Sequence, residues 1–158
     1  MAFFKVGFKN PSLTLSRLIS TSSRLSAELN LTFACPRAVF YNKVNVKQVD
    51  VPGLSGCFGV LAEHVPTIAN LKPGVVAVTE ENGSIKKFFV SSGSVTVNHD
   101  STIQVLAEEA VTLDQLDPQA IRDGLNKAQS EFSAAQGDKA KAKAQINLEA
   151  FEAMSAAV

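Results

Sequence analysis

The stretch GCFGVLAEHVPTIANLKPGVV, residues 56–76, decides how this chain folds. It is apolar and rich in glycine and proline, a composition typical of short extended segments separated by tight turns. It predicts a strand at residues 58–61 and, after a Pro-Gly turn, another at residues 75–78. Glycines, prolines and outward-facing apolar residues, for which Phe58 and Ile68 are the candidates, build rigid surface shape and interface area rather than acid–base chemistry.

The same pattern of short strands extends on both sides, from Leu29 to about Leu113. The sequence Glu81-Asn-Gly-Ser84 predicts a hairpin turn, because Asn-Gly tolerates the positive φ that such turns require. Many short strands with regular turns, and no helices between them, favour an antiparallel β-sandwich or barrel over a parallel α/β sheet. The other predicted strands are residues 32–35, 39–51, 86–90, 95–97 and 102–106.

After Leu113 the pattern changes to helical spacing. Asp117 is a good N-cap and Pro118 is tolerated at the first helical position. Gly137-Asp138 predicts the end of this helix and the cap of a second, alanine-rich one. We therefore expect an antiparallel helical hairpin that docks on the sandwich or on a partner. The predicted contact faces are Ile121, Leu125, Ala128 and Phe132 on the first helix, and Ala140, Ala144, Leu148 and Phe151 on the second.

Composition excludes several classes of protein. The chain has 158 residues, 46% hydrophobic and 19% charged, which suits one globular domain with a small addition. No apolar run approaches the roughly 20 residues that span a bilayer, and a formal net charge of +0 gives no polybasic footprint for nucleic acid. Cys35 and Cys57 form no CxxC pair, so we expect two reduced thiols.

The first 26 residues differ from the rest, because no acidic residue precedes Glu28. They carry Lys5, Lys9, Arg17 and Arg24 among many serines and threonines, with apolar residues interleaved. This composition predicts a mitochondrial transit peptide over residues 1–26 and a mature start near Ala27. Its removal from a chain with 15 basic and 15 acidic residues leaves 11 against 15.

Several residues are candidates for chemistry, and each lacks the context that the chemistry needs. Gly53, Gly56 and Gly59 are spaced like a phosphate loop, but no Lys-Ser/Thr follows and Gly59 does not open a helix. We therefore expect glycines that serve tight turns.

His64, Ser55 and Asp50 supply the residue types of a triad, but no nucleophile sits on a strand-to-helix elbow. A histidine that locks a turn through hydrogen bonds is the favoured interpretation. His64, His99, Cys35 and Cys57 show no metal-ligand spacing.

Lys139, Lys141 and Lys143 open the second predicted helix, where positive charge opposes the helix dipole. A solvated helix start is the simpler interpretation. Contact with an acidic partner surface is the alternative.

Three segments together closely resemble one family. Residues 56–76, the preceding VFYNKVNVKQVDVPG of residues 39–53, and the following KKFFVSSGSVTVNHDSTIQVLAEEAVTLDQLD of residues 86–117 match in order and spacing. They resemble the small rotor subunit of F-type ATP synthase, which is called epsilon in bacteria and chloroplasts and delta in mitochondria. The resemblance covers about Leu31 to Phe151.

The resemblance implies a fold and a role. The fold is a β-sandwich of two five-stranded sheets over residues 27–113, followed by a helical hairpin over residues 114–158. The role is that of a non-catalytic central-stalk subunit, with no catalytic, cofactor-binding or metal-binding residues, which couples proton-driven rotation of the membrane c ring to ATP synthesis. The implied partners are the gamma subunit, the small mitochondrial epsilon subunit and the c ring, on the matrix side of the mitochondrial inner membrane.

The resemblance also implies an interface. In the family the loop equivalent to residues 55–58 faces the membrane ring, which marks Ser55, Gly56, Cys57 and Phe58, with Phe58 expected to be exposed. The segment from His64 to Pro66 is expected to shape the same end of the sandwich.

One departure from the family is clear. Some bacterial relatives bind ATP through an Asp-x-x-Arg-Ala pattern, whereas here Asp117 is followed by Pro118, Gln119 and Ala120, and Arg122 is out of register. This departure argues against nucleotide regulation. Two alternatives to a rotor subunit stay open at this point: a nucleotide-sensing sandwich that uses Arg122 and the three glycines, and a hydrolase that uses His64 with Ser55.

Overall fold

The computed structural model describes residues 28–158, so the predicted transit peptide lies outside the described residues. A β-rich part is followed by two helices. The strands are β1 (Leu29–Cys35), β2 (Ala38–Gly53), β3 (Gly56–Leu61), β4 (Thr67–Leu71), β5 (Gly74–Glu80), β6 (Ile85–Val90), β7 (Gly93–Val97), β8 (Thr102–Ala107) and β9 (Ala110–Thr112), and the helices are α1 (Pro118–Ala134) and α2 (Asp138–Ala157).

The strands form a β-sandwich, as the sequence predicts, but the prediction of two five-stranded sheets is not confirmed. The nine strands belong to one continuous hydrogen-bonded sheet. The cause is the 16-residue β2, which pairs with β1 through its first half and with β3 and β5 through its second half. The sheet is mixed rather than purely antiparallel, because β1 and β8 run parallel.

The core lies between the layers and consists of alternate residues from each strand. Phe33 is fully buried and its ring centroid lies 5.0 Å from that of Phe40 and 5.3 Å from that of Phe88. Valine supplies most of the rest, since β-branched side chains suit a pleated, buried surface. The aliphatic core residues include Leu31, Val49, Val60, Val76, Val78, Val95, Ile103 and Val105.

The two C-terminal helices that the sequence predicts are present. The Asp117 side chain accepts a hydrogen bond of 2.9 Å from the Gln119 backbone N–H, and so caps α1. The break differs from the prediction: α1 already ends at Ala134, and Gly137, with φ of 88°, lets the chain turn before Asp138 begins α2.

The hairpin docks on the sandwich through α2, which packs against β5. Phe89 points away from the core cluster that contains its neighbours Phe88 and Val90, yet it is only 3% exposed. The outer face of this layer is therefore covered here. Ile121, Ala128 and Ala144 are buried, whereas Phe132 and Ala140, which the sequence places on the same helix faces, are exposed.

Gly124 lets the two helices approach closely, and the Gly124→Ala variant tests this. A Cβ there would lie 2.7 Å from Cζ of Phe151, closer than real Cβ contacts. Ala normally stabilises a helix relative to Gly by about 1 kcal/mol, but overpacking costs about 1–3 kcal/mol. We expect faster amide hydrogen exchange in both helices and unchanged exchange in β1 and β8.

The matched control for Gly124→Ala is the double variant with Phe151→Leu. The smaller side chain makes room for the new methyl group, so slow exchange in the helices should return. If the helices of Gly124→Ala exchange as slowly as those of the parent chain, the Phe151 ring moves aside without a loss of stability.

Candidate interaction surface

The turn between β2 and β3 presents two exposed residues, Leu54 and Ser55, on a tight backbone. Gly56 has φ of 138°, a conformation that favours glycine. A Cβ on Gly53 would lie 2.9 Å from both the Gly56 carbonyl oxygen and Cε1 of Phe58. The glycines that resemble a phosphate loop in sequence thus close a turn.

Two backbone hydrogen bonds join this turn to β4. The Leu54 N–H donates to the Asn70 carbonyl oxygen and the Lys72 N–H donates to the Pro52 carbonyl oxygen, both at 3.0 Å. Gly53 also pairs with Leu71. The turn is therefore held in place before any partner binds, which reduces the entropy cost of binding.

The expectation that Phe58 is exposed is wrong. Its side chain is half-buried and packs against the core, while its neighbour Cys57 is exposed. Because successive side chains of a strand point to opposite faces, one of the two had to point inward, and the larger apolar ring buries more surface.

His64 serves the structural role that the sequence favours. Its Nδ1 lies 2.8 Å from the Val65 carbonyl oxygen, so Nδ1 carries the proton and donates. Its backbone N–H donates to the Leu61 carbonyl oxygen at 3.2 Å, and its ring centroid lies 6.4 Å from that of Phe58. These contacts fix the loop between β3 and β4.

The six predicted interface residues lie in two segments, one on each side of β3 in the sequence. Ser55, Gly56 and Cys57 lie where β3 begins, whereas His64 and Pro66 lie in the loop after β3 ends. Phe58 contacts both segments: its ring centroid lies 6.4 Å from that of His64, and its Cε1 would lie 2.9 Å from a Cβ on Gly53. That the loop shapes the same end of the sandwich as the turn stays a prediction.

Three exposed apolar residues that the interface prediction omits follow the line of β4. Leu54 is 72% exposed, Val65 69% and Ile68 79%. Ile68 is on the outward side of β4 together with Asn70, whose carbonyl holds the turn at Leu54. Exposed aliphatic side chains on a fixed backbone suit contact with a protein partner. We call Leu54, Val65 and Ile68 the β4 surface.

The structure does not assemble the proposed triad or phosphate loop. Asp50 accepts a 2.6 Å hydrogen bond from Gln48, and its Oδ1 lies 2.7 Å from the position of a Cβ on Gly59. A carboxylate beside this glycine would repel a phosphate. Ser55 precedes β3 and His64 follows it, and the His64 Nδ1 pairs with the Val65 carbonyl oxygen rather than with a serine hydroxyl.

Within residues 28–158, no group of three or more His, Cys, Asp or Glu side chains could hold a metal ion. Cys35 and Cys57 are free thiols, the first half-buried and the second exposed. Lys139, Lys141 and Lys143 are all exposed at the start of α2. Neither α1 nor α2, the two α-helices of residues 28–158, has the length and hydropathy of a membrane-spanning helix.

A polar cluster of four side chains surrounds Glu80 at the end of β5. Lys86 Nζ lies 2.7 Å from Glu80 Oε1, and the Tyr41 hydroxyl donates to the same oxygen at 3.1 Å. Ser84 Oγ donates to Oε2 at 3.0 Å. The hydrogen bonds from Lys86 and then Ser84 lower the pKa of Glu80. The cluster links β2, β5 and β6.

Tyr41, the single tyrosine, allows a specific titration. Burial first, then the hydrogen bond to Glu80 and the negative charge of Glu80, raise its pKa from 10.0 to about 12. A raised pKa means that the neutral phenol stabilises the fold below the unfolded pKa, and that this stabilisation is lost as pH rises through about 12. Tyrosinate absorbance should therefore develop near pH 12.

The control for this titration is Glu80→Gln. Removing the negative charge should lower the pKa of Tyr41, but burial should keep it above its ordinary value. A Tyr41 pKa at the ordinary value in the parent chain would contradict the buried, hydrogen-bonded phenol.

The fold and the surface define a class: a β-sandwich with a docked helical hairpin and a hydrogen-bonded turn that exposes an apolar side chain, Leu54. Comparison with known proteins identifies the family within this class. Residues 28–113 match the family "ATP synthase, Delta/Epsilon chain, beta-sandwich domain", and residues 116–157 match "Metazoan delta subunit of F1F0-ATP synthase, C-terminal domain". The chain belongs to the ATP synthase delta/epsilon family, in its mitochondrial delta branch.

Individual relatives support the same family assignment. The mitochondrial ATP synthase subunit delta of Caenorhabditis elegans is 50% identical over 127 residues, covering 80% of this chain and 77% of the relative. That of Kluyveromyces lactis is 42% identical over 152 residues, covering 92% and 94%. A chain in the Euglena gracilis mitochondrial ATP synthase structure of OSCP, F1 and c-ring superposes with a TM-score of 0.78 at 25% identity, covering 98% of this chain and 96% of that one.

Proposed function

We propose that this chain is a non-catalytic central-stalk subunit of mitochondrial ATP synthase that couples proton-driven rotation of the c ring to ATP synthesis in the catalytic head. The observation that carries the proposal is the family match across both the sandwich and the hairpin. The solved structure at 25% identity comes from an OSCP/F1/c-ring assembly, and a chain with the same fold at 13% identity comes from a central stalk/c-ring assembly. The rigid turn supports a role in transmitting torque, because a flexible contact would absorb rotation.

The proposed partners are the gamma subunit, the mitochondrial epsilon subunit and the c ring. The turn at Ser55–Cys57 and the β4 surface supply the contact with a rotor neighbour, and Phe58, His64 and Pro66 act as its support. The proposed location is the matrix face of the mitochondrial inner membrane, as a peripheral protein. Residues 1–26 act as the transit peptide, ahead of a sandwich over residues 27–113 and a hairpin over residues 114–158.

A pull-down tests the role and the leader separately. The full chain is tagged at its C terminus and expressed in mitochondria, which are solubilised gently, and the recovered proteins are weighed by intact mass spectrometry. We expect the gamma subunit and the c ring to be recovered, with the bait beginning near Ala27. Recovery of a free monomer at low salt would overturn the rotor role, and a bait that keeps its first 26 residues would overturn the transit peptide alone.

A further inference from the structure

The tip of the β5–β6 hairpin contains the sequence Asn82-Gly83. The chain has nine asparagines, and Asn82 is the only one followed by glycine. Both residues are exposed. Glycine matters here because it has no side chain to block its own backbone nitrogen from approaching the carbon of the preceding side-chain amide.

Hydrogen bonds hold the Asn82 side chain in a defined position. Its Oδ1 accepts a 2.7 Å hydrogen bond from the Ser84 backbone N–H, and its Nδ2 donates to Glu80 Oε2 at 3.5 Å. The Gly83 N–H donates to the Glu80 carbonyl oxygen at 2.9 Å, and Gly83 has φ of 85°. The bond from Ser84 polarises the Asn82 side-chain carbonyl toward attack, as an oxyanion donor does.

We propose that Asn82 is a site of spontaneous deamidation, a modification that inserts a negative charge beside Glu80. The backbone nitrogen of Gly83 attacks Cγ of Asn82, forms a C–N bond and gives up its proton, and the amide nitrogen leaves as ammonia. Water then opens the cyclic imide and leaves a carboxylate as aspartate or isoaspartate. Solvent water is the single co-reactant, and no oxidation or reduction occurs.

The folded hairpin sets the rate of this step. Gly83 donates its N–H to Glu80 in the closed turn, so the nitrogen must leave that bond before it can attack. Glu80 closes the turn twice, through this carbonyl and through its carboxylate, which accepts from Ser84 and Asn82. Deamidation therefore proceeds through transient opening of the tip, and a change that loosens the tip accelerates it.

The product disturbs the Glu80 cluster. The side-chain amide that donates to Glu80 becomes a carboxylate at the same place. Two neighbouring carboxylates repel each other, which disfavours the charged form of each. The new charge opposes the effect of Lys86 on Glu80 and weakens the link from the hairpin to Tyr41. The inference does not depend on the proposed function.

The test follows modification at every asparagine of the purified full chain, incubated in mildly alkaline buffer and digested for peptide mass spectrometry. Asn42 and Asn126, both exposed and both followed by lysine, are internal controls. We expect Asn82 to convert several-fold faster than either, with isoaspartate among the products. Equal conversion at the three sites would overturn the proposal.

Two variants test the mechanism. Glu80→Gln keeps the Asn82-Gly83 sequence but weakens the closed tip, so Asn82 should convert faster; an equal or slower rate would overturn the role of tip opening. Asn82→Asp reproduces one product, and NMR titration of its Glu80 carboxyl group should show a higher pKa than in the parent chain. An unchanged Glu80 titration in that folded variant would overturn the proposed consequence.

Discussion

Phe33→Ala should lower the free energy of unfolding by about 3–5 kcal/mol, the range for buried Phe-to-Ala changes. Phe33 is 0% exposed and its ring packs against the rings of Phe40 and Phe88. Truncation removes contacts on several sides, and the surrounding sheet can close the cavity only partly. Since domains are stable by about 5–15 kcal/mol, this single change removes a large share.

Urea unfolding measures the effect of Phe33→Ala. The urea concentration at the midpoint of unfolding should fall. The slope of the unfolding free energy against urea concentration, the m-value, should stay constant, because the same surface is exposed on unfolding. The matched control is Val39→Ala, whose side chain lies on the neighbouring strand and is exposed to solvent, so a change within about 0.5 kcal/mol is expected. Similar midpoints for both variants would show that the aromatic cluster does not dominate the core.

Local sequence signals predicted the parts of the fold that depend on neighbouring residues. The Asn-Gly turn between β5 and β6 and the Asp117 cap of α1 are each set by a few adjacent positions. Both are confirmed. A turn or a helix cap forms its hydrogen bonds within a few neighbouring residues, so those residues suffice to predict it.

Features that depend on distant contacts could not be predicted. β4 was not predicted because its sequence does not alternate between polar and apolar residues. Ile68 points outward, where a polar residue is normal, and shares that face with Asn70. The dual pairing of β2 was missed because nothing local marks the point where a strand passes from one layer to the other. Both depend on what packs against the strand.

The orientation of the candidate interface shows the same limit. Cys57 and Phe58 are both apolar, and a shift of one position exchanges which of them faces the core. The sequence alone therefore favoured an exposed Phe58 at this turn, whereas Phe58 is half-buried and Leu54 is 72% exposed. Cross-strand pairing of Val51 with Phe58 settles the register in favour of an inward Phe58.

The double variant Leu54→Asp with Ile68→Asp should abolish recovery of the gamma subunit and the c ring while the sandwich stays folded. Both side chains are mostly exposed, at 72% and 79%, so charge there adds little cost to the isolated chain. In a packed interface the same carboxylates would be buried without a partner. Loss of central interface contacts costs about 2–4 kcal/mol each, or at least about 30-fold in affinity.

Ile85→Asp is the matched control for this double variant, because Ile85 is 61% exposed but lies at the start of β6, away from the β4 surface. It should leave recovery of both partners unchanged.

Phe58→Asp is the contrasting variant: it places a charge against the core, so it should lower stability as well as binding. If the parent chain recovers its partners and the double variant does so equally well, the β4 surface is not the contact, although the rotor role stands. If thermal unfolding shows instead that the double variant is as unstable as Phe58→Asp, the two exposed side chains support the fold rather than a partner.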